Sequence, residues 1–120
     1  MKNIASAASL VITAALLATS AQAAEPTTKL VFAKGSYCGS FSGDLKRGKR
    51  FSLWLLANQE VIIRNTGYSK IKVAYIDSPN GRVKGEHFDN MTSFYTTKRG
   101  NHYIKIYGSD HHSSVEICAY

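Results

Sequence analysis

The sequence predicts an all-β protein, a single-domain antiparallel β-sandwich of about eight strands following a signal peptide. Three observations carry that prediction. Apolar residues alternate with polar ones at period two in short runs, as strands with one buried face require. Gly, Pro and Asn interrupt these runs about every ten residues, the spacing expected of sandwich turns. No segment holds a 3.6-residue apolar stripe over ten or more residues, so helices are not expected and two packed sheets are the layer arrangement left.

The first residues form an address rather than part of the fold. Met1-Lys2-Asn3 is a positive start, residues 4–18 are apolar, and Ala21-Gln22-Ala23 has the small-x-small pattern of a cleavage site. The run is too short to span a bilayer, and no later stretch approaches the roughly 20 apolar residues a span needs. Residues 1–23 are therefore read as a signal peptide and 24–120 as one domain, with periplasmic or secreted localisation. A chain of that length builds one core and not two. Two cysteines, Cys38 and Cys118, form an even set in an oxidising compartment, outside any C-x-x-C pair, and so predict one disulfide.

The strands are predicted in order. Residues 29–34 give a first strand closed by Gly35, and 36–41 a second. Residues 51–56 place Phe51, Leu53 and Leu55 on one face, and Ala57-Asn58 makes the turn. Residues 59–65 put Val61 and Ile63 inward, with Ile62 and Arg64 outward. Residues 71–76 run into Asp77-Ser78-Pro79-Asn80-Gly81, where Pro presets φ and Asn-Gly accepts positive φ, and 82–84 return. Residues 86–93 are polar and irregular, read as a long loop or a single helical turn, before a short strand at 94–97. The last two strands, 102–107 and 114–119, are joined through Gly108-Ser109-Asp110-His111-His112, with Ile104 and Ile106 inward.

Charge narrows the partners. Removing Lys2 with the leader leaves 14 basic against 8 acidic residues, about +6. That balance favours an anionic polysaccharide, an anionic surface or an acidic protein cleft, and otherwise serves solubility. Export separates the chain from most nucleic acid, which is not expected as a partner. Catalysis is not expected. Gly39-Ser40-Phe41-Ser42-Gly43 has Phe where the nucleophile elbow needs Ser, and no helix follows it. The acidic residues are scattered, without the paired carboxylates of a glycosidase. Asp110, His111 and His112, with His102 across the hairpin, are the best metal candidates. Polar hairpin tips carry His without any ion, so neither metal nor other cofactor is assigned.

The basic stretch between the second and third strands is the most distinctive feature. Gly43 and Gly48 bracket Lys46 and Arg47, and Lys49 and Arg50 follow, giving positive charge with no interleaved Glu. A plain solvated turn more often mixes signs. Tyr37, Trp54, Tyr68, Tyr75, Tyr95, Tyr103 and Tyr107 are numerous for so small a domain. Some fill the core; any that are exposed beside Arg make interface anchors or sugar-stacking rings.

Several motifs together resemble the periplasmic inhibitors of g-type lysozyme. They are Phe32-Ala33-Lys34-Gly35, Ser42-Gly43-Asp44-Leu45-Lys46, Phe51-Ser52-Leu53 and Gln59-Glu60-Val61-Ile62-Ile63. Ser78-Pro79-Asn80-Gly81 and residues 100–106 are similar to the wider bacterial pre-peptidase C-terminal sandwich. The resemblance implies a jelly-roll-like sandwich that inhibits a lysozyme-type glycosidase by inserting a basic loop into its acidic cleft. Ser42 and Gly43 would shape the turn, and Lys46, Arg47, Lys49 and Arg50 would supply charge-assisted contacts to the catalytic carboxylate. The chain departs from that family where Lys46-Arg47-Gly48-Lys49-Arg50 replaces an aromatic K-G-Y-x-Y stretch, and in having Cys38, Cys118 and Trp54. Two other readings stay open: an exported module binding envelope polysaccharide or another anionic surface, and a periplasmic immunity protein against a toxin.

Overall fold

The structure, a computed structural model, describes residues 25–120; the predicted signal peptide lies outside the described residues. The described residues form ten strands: β1 (Thr27–Lys29), β2 (Cys38–Gly43), β3 (Lys49–Leu55), β4 (Glu60–Asn65), β5 (Ile71–Ser78), β6 (Gly81–Val83), β7 (Glu86–Phe88), β8 (Met91–Tyr95), β9 (Gly100–Gly108) and β10 (Ser113–Ala119). They make two five-stranded sheets, ordered β1-β3-β9-β5-β6 (sheet A) and β2-β10-β4-β8-β7 (sheet B). The all-β sandwich expected from alternation is therefore the fold. No helix of the described residues is long and apolar enough to cross a membrane.

The strand count exceeds eight because residues 86–93 are not a loop. Glu86–Phe88 and Met91–Tyr95 pair as a hairpin whose turn holds Asn90 at φ 62°, a conformation Asn tolerates better than most residues. The polar composition concealed it, because β7 is an edge strand exposed at all three residues. The predicted strand at 29–34 is displaced as well. Pairing ends at Lys29, and β1 runs parallel to β3, the one parallel pair among the described strands. Residues 30–34 continue as an irregular strap, with Leu30 buried and Phe32 packed on the core. A Cβ on Gly39 would lie 2.8 Å from the Phe32 ring, so this glycine lets the strap close over β2.

Most connections carry the chain from one sheet to the other; only β5–β6 and β7–β8 are hairpins within a sheet. Each crossing must seal an end of the sandwich. At one end, Thr96 does so: its hydroxyl donates to Leu56 O at 2.6 Å and accepts from the Gln59 amide at 2.8 Å, which pins the turn around Asn58. Between the sheets, Phe51, Leu53 and Leu55 of β3, Val61 and Ile63 of β4, and Ile104 and Ile106 of β9 are buried as their alternation predicts. Phe41 and Phe51 meet edge-on across the layers, ring centroids 5.2 Å apart.

Cys38 and Cys118 are joined by the predicted disulfide. They are direct partners in the β2–β10 ladder, and the Ala119 amide donates to Tyr37 O beside them. That makes theirs a non-hydrogen-bonded pair, the position where antiparallel backbones come closest. Their Cα atoms are 4.0 Å apart, slightly under the usual 4.4–6.8 Å.

Candidate functional site

The basic stretch is not one loop. Ser42 and Gly43 end β2, paired with Ser114 and Ser113, and the Ser42 and Ser114 hydroxyls meet at 2.9 Å. Lys46 and Arg47 occupy the turn and are exposed. Lys49 and Arg50 already belong to β3 and, as neighbours in a strand, face opposite ways. The Lys49 ammonium lies 5.4 Å from the Phe41 ring centroid, whereas Arg50 lies 3.9 Å from that of Tyr103, on the outer face of sheet A. The structure thus keeps Lys46 and Arg47 together and separates Arg50 from them.

The turn itself is short and anchored, not the free protruding loop its Gly and charge content suggest. It is one of the crossings between sheets, and Leu45 points inward and is fully buried. The Leu45 carbonyl accepts the amides of Gly48 and Gly108, both at 2.9 Å. Asp44 Oδ1 accepts the Lys46 amide at 2.9 Å, and Asp44 Oδ2 faces His111 Nδ1 at 3.7 Å. The Lys46 amide, and after it His111, hold the Asp44 carboxyl below its ordinary range. Gly48 has φ 84°, and a Cβ there would fall 2.5 Å from the Tyr107 ring. The geometry presents Lys46 and Arg47 on a fixed platform.

Two further crossings flank that platform. Residues 109–112 join it through Asp44 and Gly108, and residues 66–70 join them: Ser69 Oγ donates to His112 O at 2.8 Å, and the Lys70 amide to Ser109 Oγ at 3.1 Å. Tyr68 at the tip of the latter is fully exposed. This end of the sandwich therefore groups Lys46, Arg47, Tyr68, Lys70 and His111. Tyr68 stood out in the sequence only as one tyrosine among seven; its place beside the basic turn depends on which strands change sheet, which local patterning does not encode. A cleft of about 590 Å³ continues from Lys70 between β5 and the β7–β8 hairpin, floored by Ile63, Ile71 and Val73.

The candidate metal ligands Asp110, His111, His112 and His102 are not brought together as a group among the described residues. His102 is buried against Leu53 and Phe94 at the opposite end of β9, about 20 Å along the strand from the 109–112 crossing at 3.3 Å per residue. The one trio of potential ligands there is Cys38, Glu116 and Cys118, and both sulfurs are taken up by the disulfide.

No protein-family model matches the chain, and no curated protein matches it in sequence. Solved structures do match in shape. A periplasmic inhibitor of g-type lysozyme from Aeromonas hydrophila superimposes with TM-score 0.65 at 16% identity, covering 78% of this chain and 96% of that one. The Salmonella Typhimurium inhibitor gives 0.58 at 15%, covering 81% and 100%. A pre-peptidase C-terminal domain of a Bacillus anthracis collagenase gives 0.54 at 12%, covering 82% and 99%. The first two are described as inhibitors of g-type lysozyme and the third as a domain of a collagenase. At such identities the likeness is one of fold: the chain has the sandwich of the periplasmic g-type lysozyme inhibitors and of the pre-peptidase C-terminal domains.

Proposed function

We propose that the protein is an exported inhibitor of a lysozyme-type glycosidase, and that the end of the sandwich carrying Lys46 and Arg47 enters the enzyme's acidic cleft. The observation that carries this reading is the anchored turn: two adjacent cations, neither within 4.0 Å of a carboxylate among the described residues, borne on a turn whose Leu45 is buried. An anchored backbone confines the freedom lost on binding to the two side chains, whose hydrogen bonds to a desolvated carboxylate are of the strong kind. The fold shared with periplasmic inhibitors of g-type lysozyme supports the same reading. Ser42 and Gly43 serve it by fixing the exit of β2; Lys49 contributes from the flank, and Arg50 stands apart.

The test is a panel of g-, c- and i-type lysozymes assayed with the purified domain, residues 24–120, and with its Arg47→Glu variant. Inhibition of at least one enzyme, lost in the variant, is the expected result. A domain that inhibits none of them, or a variant that inhibits as well as its parent, removes the reading.

A further inference from the structure

The two outer faces of the sandwich differ sharply in charge. On sheet B the outward positions of β4, β10 and β7 carry Glu60, Glu116 and Glu86, with Arg64 as the cation among them. Sheet A carries the opposite balance. Its outward row across β3, β9 and β5 is Arg50, Lys105 and Tyr75, and the next is Ser52, Tyr103 and Asp77. Lys72 and Tyr107 pair at one margin, and Trp54, 54% exposed with Arg99 beside its ring, stands at the other.

The cations are set against aromatic rings, and two of them also pair with carboxylates, Arg82 with Asp77 and Lys105 with Glu25. Arg50 lies over Tyr103 at 3.9 Å, Arg82 over Tyr75 at 4.4 Å, and Lys105 over Tyr107 at 5.6 Å. A ring beneath a guanidinium holds it in place; Arg50 also donates through Nη1 to Thr27 Oγ1 at 3.1 Å, which leaves its other N–H groups to a ligand. Among the described residues Arg50, Arg99 and Lys72 have no carboxylate within 4.0 Å. Arg50 and Lys105 are direct partners across β3 and β9, and Lys72 lies at the margin of the same face, paired with Tyr107.

One carboxylate from outside the strands already sits on this face. Glu25, just ahead of β1, is bound by the Lys105 ammonium, accepts the Tyr75 hydroxyl at 3.2 Å, and lies in the field of Arg50. Lys105 is nearly buried by these neighbours, its side chain 14% exposed. The face thus contains a formed carboxylate receptor, occupied by the chain's own N-terminal segment.

We infer that the outer face of sheet A binds an acidic polysaccharide, with a sugar carboxylate displacing Glu25 from Lys105 and Tyr75 while Arg50 and Lys72 take further acidic groups along the polymer. Trp54 offers the flat apolar area that one face of a sugar ring covers. The inference is independent of the inhibitor reading, since Lys46 and Arg47 lie at the end of the sandwich and not on this face.

The probe is polygalacturonate, with neutral dextran and a thymidine oligonucleotide as comparisons, titrated into the domain at low and moderate salt. Binding to polygalacturonate but not to dextran, weakening with salt, is expected. Glu25→Gln should tighten it several-fold by vacating the receptor. Arg50→Gln and Lys72→Gln should each weaken it about tenfold with unchanged thermal unfolding, whereas Arg47→Gln leaves it as it was. Failure to bind polygalacturonate overturns the inference. So does equal weakening by Arg47→Gln, which would mean diffuse charge, and so does tighter binding of the oligonucleotide, which would assign the face to nucleic acid.

Discussion

The Leu45 carbonyl accepts the Gly108 amide at 2.9 Å, tying the basic turn to the start of the crossing between β9 and β10. Through that bond and the burial of its side chain, Leu45 joins the core to the surface that carries Lys46 and Arg47. Leu45→Ala should therefore lower stability by about 2–5 kcal/mol through lost burial and a cavity. Denaturant unfolding measures it; a loss below about 0.5 kcal/mol, the range of ordinary surface changes, would show that the turn does not depend on this anchor.

Arg47→Glu and Lys46→Glu address the same turn from outside. Both side chains are exposed, so unfolding should shift by no more than about 0.5 kcal/mol. Binding to a lysozyme that the parent inhibits should fall by about 2–5 kcal/mol, as it does when a close charge pair loses one partner. Isothermal titration separates this outcome from a folding defect.

Gly48→Ala tests the backbone. At φ 84° with the Tyr107 ring 2.5 Å from the added carbon, alanine is strained and crowded at once. A cost of at least about 1 kcal/mol is expected, against the gain of a few tenths that the same change brings at a permissive site. The measured sign of the change decides.

Removal of the disulfide by Cys38→Ala with Cys118→Ala should cost about 4–5 kcal/mol, the chain-entropy value for a loop of this size. The bridge spans 80 residues, so most of the fold lies inside the loop that it closes. Thermal unfolding of the oxidised, reduced and double-alanine forms should place the last two together, well below the first.

The Glu25–Lys105 pair predicts a pH window. The hydrogen bond from Lys105 holds Glu25 below its ordinary value, and the same bond raises Lys105. A depressed carboxyl contributes above its unfolded value and is lost as pH falls through its folded one. A raised amine contributes below its unfolded value and is lost as pH rises through its folded one. The contact should hold across neutral pH and fail in acid below the carboxylate range. Hydrogen-exchange protection at the Leu30 amide, which donates to Ser52 O, should drop there, and the drop should vanish in Glu25→Gln.

The parts of the fold legible in the sequence were those governed by period two. Leu53, Leu55, Val61, Ile63, Ile104 and Ile106 are buried because alternation at period two sets them on the face of each strand that the opposite sheet covers. Glu86–Phe88 escaped detection because an exposed edge strand has no buried face to announce it. The disulfide followed from an even cysteine count and the expectation of export. The site was half legible. Clustered charge marks Lys46 and Arg47, but strand parity sends Lys49 and Arg50 to different surfaces, and burial of Leu45 turns an apparent loop into a plug. Those outcomes depend on which sheet each strand joins, a long-range property that no short window contains.

That long-range property also sets when the molecule can exist at all. β9 and β10, the last two of the described strands, are internal: β9 separates β3 from β5 in sheet A, and β10 separates β2 from β4 in sheet B. Until they arrive, neither sheet has a middle, β2 has no neighbour, and Cys38 has no partner. β4, β8 and β7 can pair before that, as can β5 with β6, but neither sheet closes and the disulfide cannot form until residues 100–119 are available. For the exported domain proposed above, the core and its covalent clasp are then completed only when β9 and β10 have arrived.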